Sequence, residues 1–463
     1  MNFVDHRANT RATHPGFYLG EFADNRKILL RNKIINLSQL TFGAPGSSKT
    51  AGLLIPNIAH IRQSKIIADF KGSITPVTRR VRGRMGRVIV MNPTNFRCEE
   101  IPALKGQKWN PLHQTKSDEP NFMGDCRCIA NTILTKGGNS GSAKFFDISA
   151  ENIVTLFLAY ERATNGDKAS LRNVRSKLSE PSVFNEKGEP VSGFARTVVE
   201  MCLSNIYAIR TAALRLLGRL TDPKSMGTSL QDVIDTALKD FNFLDSDTVA
   251  DNMSEGSIDF ASLRKEITTI YLVIPVEELA AEGVGGKYLR LFVNLALRNL
   301  YRNPPPLDAP LPPVCFYLDE FGNCGRFSEI PKMLAMGREL GISAWYALQS
   351  LSQLKSNYPE WNLFFNGAGS WTTFRCADLE TAELFSKIIG NGEQHVMTEN
   401  QNGGASLTPQ AIPLIRAEDL MRLPDSMSIN WIAPCPYPIK AHVPIYPQTQ
   451  WDAELDPSPY HRR

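Results

Sequence analysis

The residues Gly43 to Thr50, GAPGSSKT, have the types and the spacing that hold a triphosphate. They follow the pattern GxxxxGK[ST], with Ser48 standing where glycine is usual. In such a loop Gly43, Gly46, Ser47 and Ser48 turn backbone N–H groups toward phosphates, helped by the N-terminus of the following helix. Lys49 then reaches the terminal phosphates, and the Thr50 hydroxyl binds magnesium. A glycine at position 48 relaxes the backbone, so serine there either weakens nucleotide binding or shifts the demands of the turn to Gly46. A turn that holds Lys-Thr by coincidence is the plainer reading. An apolar strand before the loop and a helical pattern after it argue against that.

A second constellation lies far downstream. In VCFYLDEFGN an apolar strand, Val314 to Leu318, ends in Asp319 and Glu320. That places two carboxylates at the C-terminal edge of a sheet, where open α/β folds bind ligands. Asp319 would hold the magnesium shell and Glu320 would polarise the attacking water, as phosphoryl transfer to water requires. The alternative is a helix N-terminus collecting acidic side chains for its dipole. EIPKMLAMGRELG reads as a helix closed by Gly341, with Ile330, Met333 and Leu334 on its packed side and Arg338 near its end. The next strand, ISAWYAL, ends in Gln349. Strand order would let Gln349 lie beside the two acids and sense the terminal phosphate, or merely satisfy backbone groups.

These residues need a scaffold, and the pattern supplies one. IINLSQLTF reads as a short buried strand before the loop, AGLLIPNIAHI as a helix, and SKIIADFKG and GRVIVMNP as further strands. Alternating strands and helices predict a parallel sheet covered on both faces. From about residue 145 the period changes. Ile153, Leu156, Phe157 and Tyr160 share one helix face, and FARTVVEMCLSNIYAIRTAALRLLGRL and SLQDVIDTALKDF continue helically. Strand signals return at TTIYLVIPV, a helix follows from about Gly286 to Arg302, and NPPPLDAPLPP breaks the chain before CFYLDE. Near the end NGEQHVMTENQNGGASLTP is polar and glycine-rich, which predicts a mobile loop. Arg79, Arg80, Arg82, Arg84 and Arg87 form a basic cluster that either meets phosphates or decorates a solvated turn.

Composition bounds the answer. A chain of 463 residues exceeds what a single core serves, so two domains are expected. With 21% charged residues and a formal charge of +4, any nucleic-acid contact must come from local patches. The eight cysteines are scattered, with only Cys126 and Cys128 close, which suits a reduced, cytosolic protein better than a metal site. No uncharged apolar run approaches the roughly 20 residues that span a bilayer. The expectation is a cytoplasmic chain, or one peripheral at the inner membrane through partners.

Taken in order, GAPGSSKTAGLLIPNI, ADFKGS, VIVMNP, WNPL, LDEFGN, MGRELGISAWYALQSLSQL and LMRLP resemble the successive blocks of TraG-like coupling ATPases of conjugative and type IV secretion systems. LDEFGN followed by GRELGI and LQSLSQL is more specific than any phosphate-loop and acidic-strand pair. Here Ser48, Phe70 and Ser73 depart from the family pattern, and the family's usual N-terminal membrane helices are expected to be missing from this chain. The resemblance implies an α/β fold: a RecA-like P-loop NTPase with a mostly parallel central sheet and an inserted all-α domain. Residues 1–110 and 251–463 would form the motor and 111–250 the insertion. It implies ATP and Mg2+ as cofactors, a homo-oligomeric, hexameric ring, and movement of DNA, a relaxase or a secreted protein into a type IV secretion channel. It also implies that Arg338 is an arginine finger for a neighbour's nucleotide and that Gln349 links hydrolysis to movement. The other readings are a DNA-pumping ATPase of the FtsK or HerA kind, and a nucleotide-binding adaptor with little hydrolysis.

Overall fold

The computed structural model describes residues 16–31, 38–135, 141–184, 190–221, 228–279, 283–305, 313–399, 405–433, 435–446 and 454–460. In chain order the strands are β1 Gly16–Glu21, β2 Lys27–Arg31, β3 Ser38–Phe42, β4 Lys65–Asp69 and β5 Arg87–Met91. Next come β6 Val183–Phe184, β7 Pro190–Val191, β8 Thr268–Val273, β9 Val314–Leu318, β10 Ile342–Leu348 and β11 Ala368–Thr373. The last are β12 Asn391–Glu399, β13 Ala405–Pro413, β14 Met427–Ile432 and β15 Ile439–His442. Eleven of them form one sheet in the order β2-β1-β15-β14-β11-β3-β10-β9-β4-β8-β5.

From β11 to β5 every pairing is parallel. The remaining strands, β14, β15, β1 and β2, add an antiparallel margin. Every residue of β3, β4, β8, β9 and β10 is buried, because crossover helices cover both faces of a parallel sheet. Alternation divides the core in two. Ile66, Ala68, Ile270, Leu272, Phe316 and Leu318 face one way, and Ile67, Tyr271, Val273, Cys315, Tyr317 and Trp345 the other. Helices Ile55–His60 and Ile74–Gly83 cover the second face, together with Leu455 from the C-terminal segment.

The first face is covered by helices Phe122–Ile133, Gly141–Asn165 and Val284–Arg302. Trp109 lies at their junction, its ring 5.5 Å from Tyr288 and 4.8 Å from Phe292. Helices Leu171–Leu178, Gly193–Cys202, Tyr207–Thr221, Thr228–Asp240 and Asp247–Asn252 complete the stretch 111–250. Among the described residues no strand of the main sheet falls within it. Two features differ from an all-helical, self-contained insertion. β6 pairs with β7 in a short hairpin, and the helices' apolar residues are continuous with the core of the first sheet face.

One further expectation is corrected. The polar stretch read as a mobile loop forms the antiparallel ribbon β12–β13, paired from Asn391 with Pro413 to Glu399 with Ala405. Asn391, Glu393, Gln394, His395 and Met397 are exposed on it. A ribbon held by its backbone ladder needs no apolar face, so hydrophobic patterning could not reveal it; residues 400–404 lie outside the described residues. Of the basic cluster only Arg82 turns inward, while Arg79, Arg80, Arg84 and Arg87 stay exposed. Arg82 is buried, donating to Thr269 Oγ1 at 2.8 Å, Ile61 O at 2.8 Å and Gln63 O at 2.7 Å, while Arg80 pairs with Asp456 at 2.8 Å. Residues 34–37 of the first strand reading and 306–312 of the proline connector also lie outside the described residues. Among the described residues no two cysteines form a disulfide, and Cys126 and Cys128 are buried in one helix. Among the described residues no helix is long and apolar enough to cross a membrane.

Candidate functional site

Sheet order assembles the site. β10 lies between β3 and β9, so the chain leaves three adjacent parallel strands at the same edge: into the glycine loop after β3, to Gln349 after β10, and to Asp319 and Glu320 after β9. β4 lies beyond β9 and delivers Asp69 and the loop Phe70–Ser73 to that edge. Strand edges alone therefore bring together residues more than 250 positions apart.

The loop from Gly43 to Ser48 is tightly specified. A methyl group on Gly43 would lie 2.5 Å from Ser47 Oγ and 2.8 Å from Phe374 Cβ, so only glycine fits there. Gly46 has φ +80° with open space around it, so it serves backbone conformation and not packing. Ser48 has φ 60° and ψ 11°, the left-handed region, immediately before a wide helical turn Lys49–Leu54 that runs into helix Ile55–His60. The turn's demand has not passed to Gly46 alone; Ser48 carries strain of its own. Lys49 is buried, its Nζ donating to Gly43 O at 2.6 Å and Ala44 O at 3.0 Å. Burial pulls its pKa down, against the pull of Asp319 and Glu320.

Thr50 Oγ1 donates to Asp319 Oδ2 at 2.7 Å. Asp319 sits above its usual pKa because it is poorly solvated, with the Thr50 hydrogen bond acting the other way. Glu320 is itself left-handed, φ 47°, and its carboxylate accepts from Gln349 Nε2 at 2.6 Å. The structure thus brings Gly43, Gly46, Ser47, Ser48, Lys49, Thr50, Asp319, Glu320 and Gln349 to one edge. Arg338 is elsewhere. It is exposed in the turn after helix Ile330–Met336, next to Gly341, whose carbonyl accepts from Val314 N at the start of β9. The five residues of β9, about 17 Å of strand, separate that edge from Asp319.

A cleft of about 170 Å³ opens between Thr50, Ala51 and Ile55 on one side and Asp69, Lys71, Ser73 and Ile74 on the other, with Asp319 and Glu320 at its base. Tyr446 and Ser458 close it. Sequence reading assigned nothing to Lys71, Tyr446 or Ser458. ADFKGS carried a signal, lysine-glycine after an acid-ended strand; the two C-terminal residues carried none. The donor set suits a phosphate with magnesium. A hydroxyl and a carboxylate are hard oxygen ligands for a small divalent cation that keeps most of its water, and no group of three or more His, Cys, Asp or Glu among the described residues competes as a metal cage.

A family described as type IV secretory system conjugative DNA transfer matches residues 6–454. The chain is 24% identical over 83% of its length to conjugal transfer protein TraG of Rhizobium radiobacter, covering 56% of that protein. It is 23% identical over 79% of its length to the type IV secretion system-coupling protein VirD4 of Bartonella quintana, covering 55%. It therefore spans about half the length of these curated relatives. Among solved structures, the conjugative coupling protein TrwBdeltaN70 superposes with a TM-score of 0.65 at 15% identity over 94% of this chain and 90% of that one. TrwB in complex with ADP and Mg2+ gives 0.63 at 15% identity over 92% and 88%. The fold is that of a RecA-like P-loop NTPase.

Left-handed backbone costs a non-glycine residue about 1–2 kcal/mol, so Ser48→Gly should stabilise the protein by about 1 kcal/mol and Ser48→Val, β-branched, should destabilise it. Urea unfolding of the three proteins checks this. Equal midpoints would show that the loop relaxes at no cost.

Proposed function

The chain belongs to the type IV secretory system conjugative DNA transfer family, and on that premise we propose that it is the motor of a coupling ATPase, binding ATP with Mg2+ and moving DNA or a DNA-linked protein toward a secretion channel. The observation that carries this reading is the Thr50–Asp319 hydrogen bond, which joins phosphate loop and acidic strand into one site. On this reading residues 1–110 and 251–463 are the motor and 111–250 its helical accessory domain. Its partners are DNA, a relaxase or secreted protein, channel components that bring it to the inner membrane, and further copies of itself, six in a ring.

Each residue has a task set by its position. The backbone N–H groups of Gly46, Ser47 and Ser48 cradle phosphate, and Lys49 exchanges the carbonyls of Gly43 and Ala44 for phosphate oxygens. Thr50 and Asp319 hold the magnesium shell, and bound Mg2+ neutralises charge on the phosphates. Glu320 polarises the attacking water, while Gln349, bonded to its carboxylate, restrains it and registers whether the terminal phosphate is present. Arg338 lies at the far edge from its own site, which favours its serving a neighbour's nucleotide. A finger supplied in trans is worth roughly a thousandfold or more in rate.

Lys49→Ala should abolish nucleotide binding, whereas Glu320→Gln should keep binding and lose turnover. Calorimetry and phosphate release separate the two. An unchanged steady-state rate in Glu320→Gln removes the assignment. For Arg338 the test mixes two inactive variants, Arg338→Ala and Lys49→Ala: the first retains a sound pocket and the second a sound finger. Recovery of turnover in the mixture supports a shared site. A dead mixture of co-assembled variants, or full turnover by Arg338→Ala alone, makes Arg338 a surface arginine.

A further inference from the structure

The loop after β4 is built more rigidly than a surface turn needs. Asp69 is buried and accepts from Ser73 N at 2.9 Å, Ile74 N at 3.1 Å, Thr75 N at 2.8 Å and Thr75 Oγ1 at 2.7 Å. Burying a carboxylate is costly, and four donors are what make it tolerable. Gly72 adopts φ +61°, and a methyl group there would stand 2.8 Å from Leu104 Cδ1. The Tyr460 hydroxyl, from the C-terminal segment, donates to the Lys71 carbonyl. That segment is itself seated by Leu455 in the core and by Asp456 on Arg80. The backbone of Lys71 is therefore fixed from both sides and from above.

What this frame presents is an ammonium group. Lys71 is exposed, lines the cleft with Thr50, Asp319 and Glu320, and makes no side-chain hydrogen bond or ion pair among the described residues. Lys49 is engaged by loop carbonyls, whereas Lys71 lines the cleft that Thr50, the next residue after Lys49, also lines. A solvated surface lysine needs neither a buried capping carboxylate nor a tyrosine on its carbonyl.

We infer that Lys71 is a second, in-cis cation for the terminal phosphate, contacting the γ-phosphate from the wall of this cleft and so distinguishing a nucleoside triphosphate from a diphosphate. This rests on the phosphate-loop reading of the site. A preorganised donor aimed where charge resides acts without reorganising, which is why the rigid frame matters. A lysine acts here as a point charge, so arginine should substitute in part and alanine should not.

The test uses the full chain with Mg2+ and calorimetric titration of two probes, ADP and the non-hydrolysable imido analogue of ATP. Lys71→Ala should weaken the triphosphate analogue about tenfold or more and ADP less than about twofold, and Lys71→Arg should restore most of the difference. Thermal unfolding of Lys71→Ala should match the parent, since the side chain is exposed. Equal losses for both probes, or none for either, overturn the inference. Lys49→Ala keeps its failure distinct from that of the underlying reading. If Lys49→Ala binds both nucleotides like the parent, the phosphate-loop assignment falls and the Lys71 role with it; if Lys49→Ala loses both, the Lys71 result stands alone.

Discussion

Everything at this site depends on one hydrogen bond, from Thr50 Oγ1 to Asp319 Oδ2, between residues 269 positions apart. It spans from the loop after β3 to the tip of β9, across the intervening strand β10. The contact requires that all three strands end level, which the parallel registers of Trp345 with Gln39 and with Tyr317 provide. Register in a fully buried parallel sheet is strongly specified, because a slip of one residue turns every side chain to the wrong face. The apolar alternation of Ile66, Ile67 and Ala68, and of Phe316, Tyr317 and Leu318, is thus the remote cause of a hydroxyl meeting a carboxylate.

Two residues at this edge, Ser48 and Glu320, hold left-handed backbone that glycine would adopt freely. Strain of this kind persists where the surroundings over-determine it, and such places cluster at functional sites. Ser48 is fixed by the loop before it and the wide helical turn after it. Glu320 is fixed by its N–H on Asp319 Oδ1 at 3.0 Å and by Gln349 on its carboxylate. Strain and hydrogen bonds together aim Glu320 into the cleft.

Much of this was legible in the sequence, for a physical reason in each case. The glycine loop and the acid-ended strand announce themselves because their chemistry permits few residue types, and ISAWYAL could be bounded to the residue because a buried strand, apolar but for Ser343, runs between Gly341 and Gln349. Placing Gln349 beside Glu320 needed only strand order. What stayed hidden depends on partners distant in sequence. Nothing in Arg82 says that it points inward to Ile61 O and Gln63 O; a long basic side chain at a helix end reads as solvated. Ser458 lines the cleft and Tyr460 reaches the Lys71 carbonyl across 389 positions, and β12–β13 hides because a backbone ladder leaves no hydrophobic trace. The helical stretch was visible as helix, but its sharing of a core with the sheet was not, since the same apolar faces would serve a closed bundle.

On the proposed function, Thr50 and Asp319 seat the magnesium ion that accompanies the triphosphate. The most direct measurement is the affinity of the parent chain and of Asp319→Asn for the imido analogue of ATP, with Mg2+ and with chelator. Asparagine keeps the size and an acceptor for Thr50 but removes the charge that draws the cation. Mg2+ is expected to tighten binding about tenfold or more in the parent and less than about twofold in the variant. An equal gain from Mg2+ in both would place the cation elsewhere and overturn that assignment.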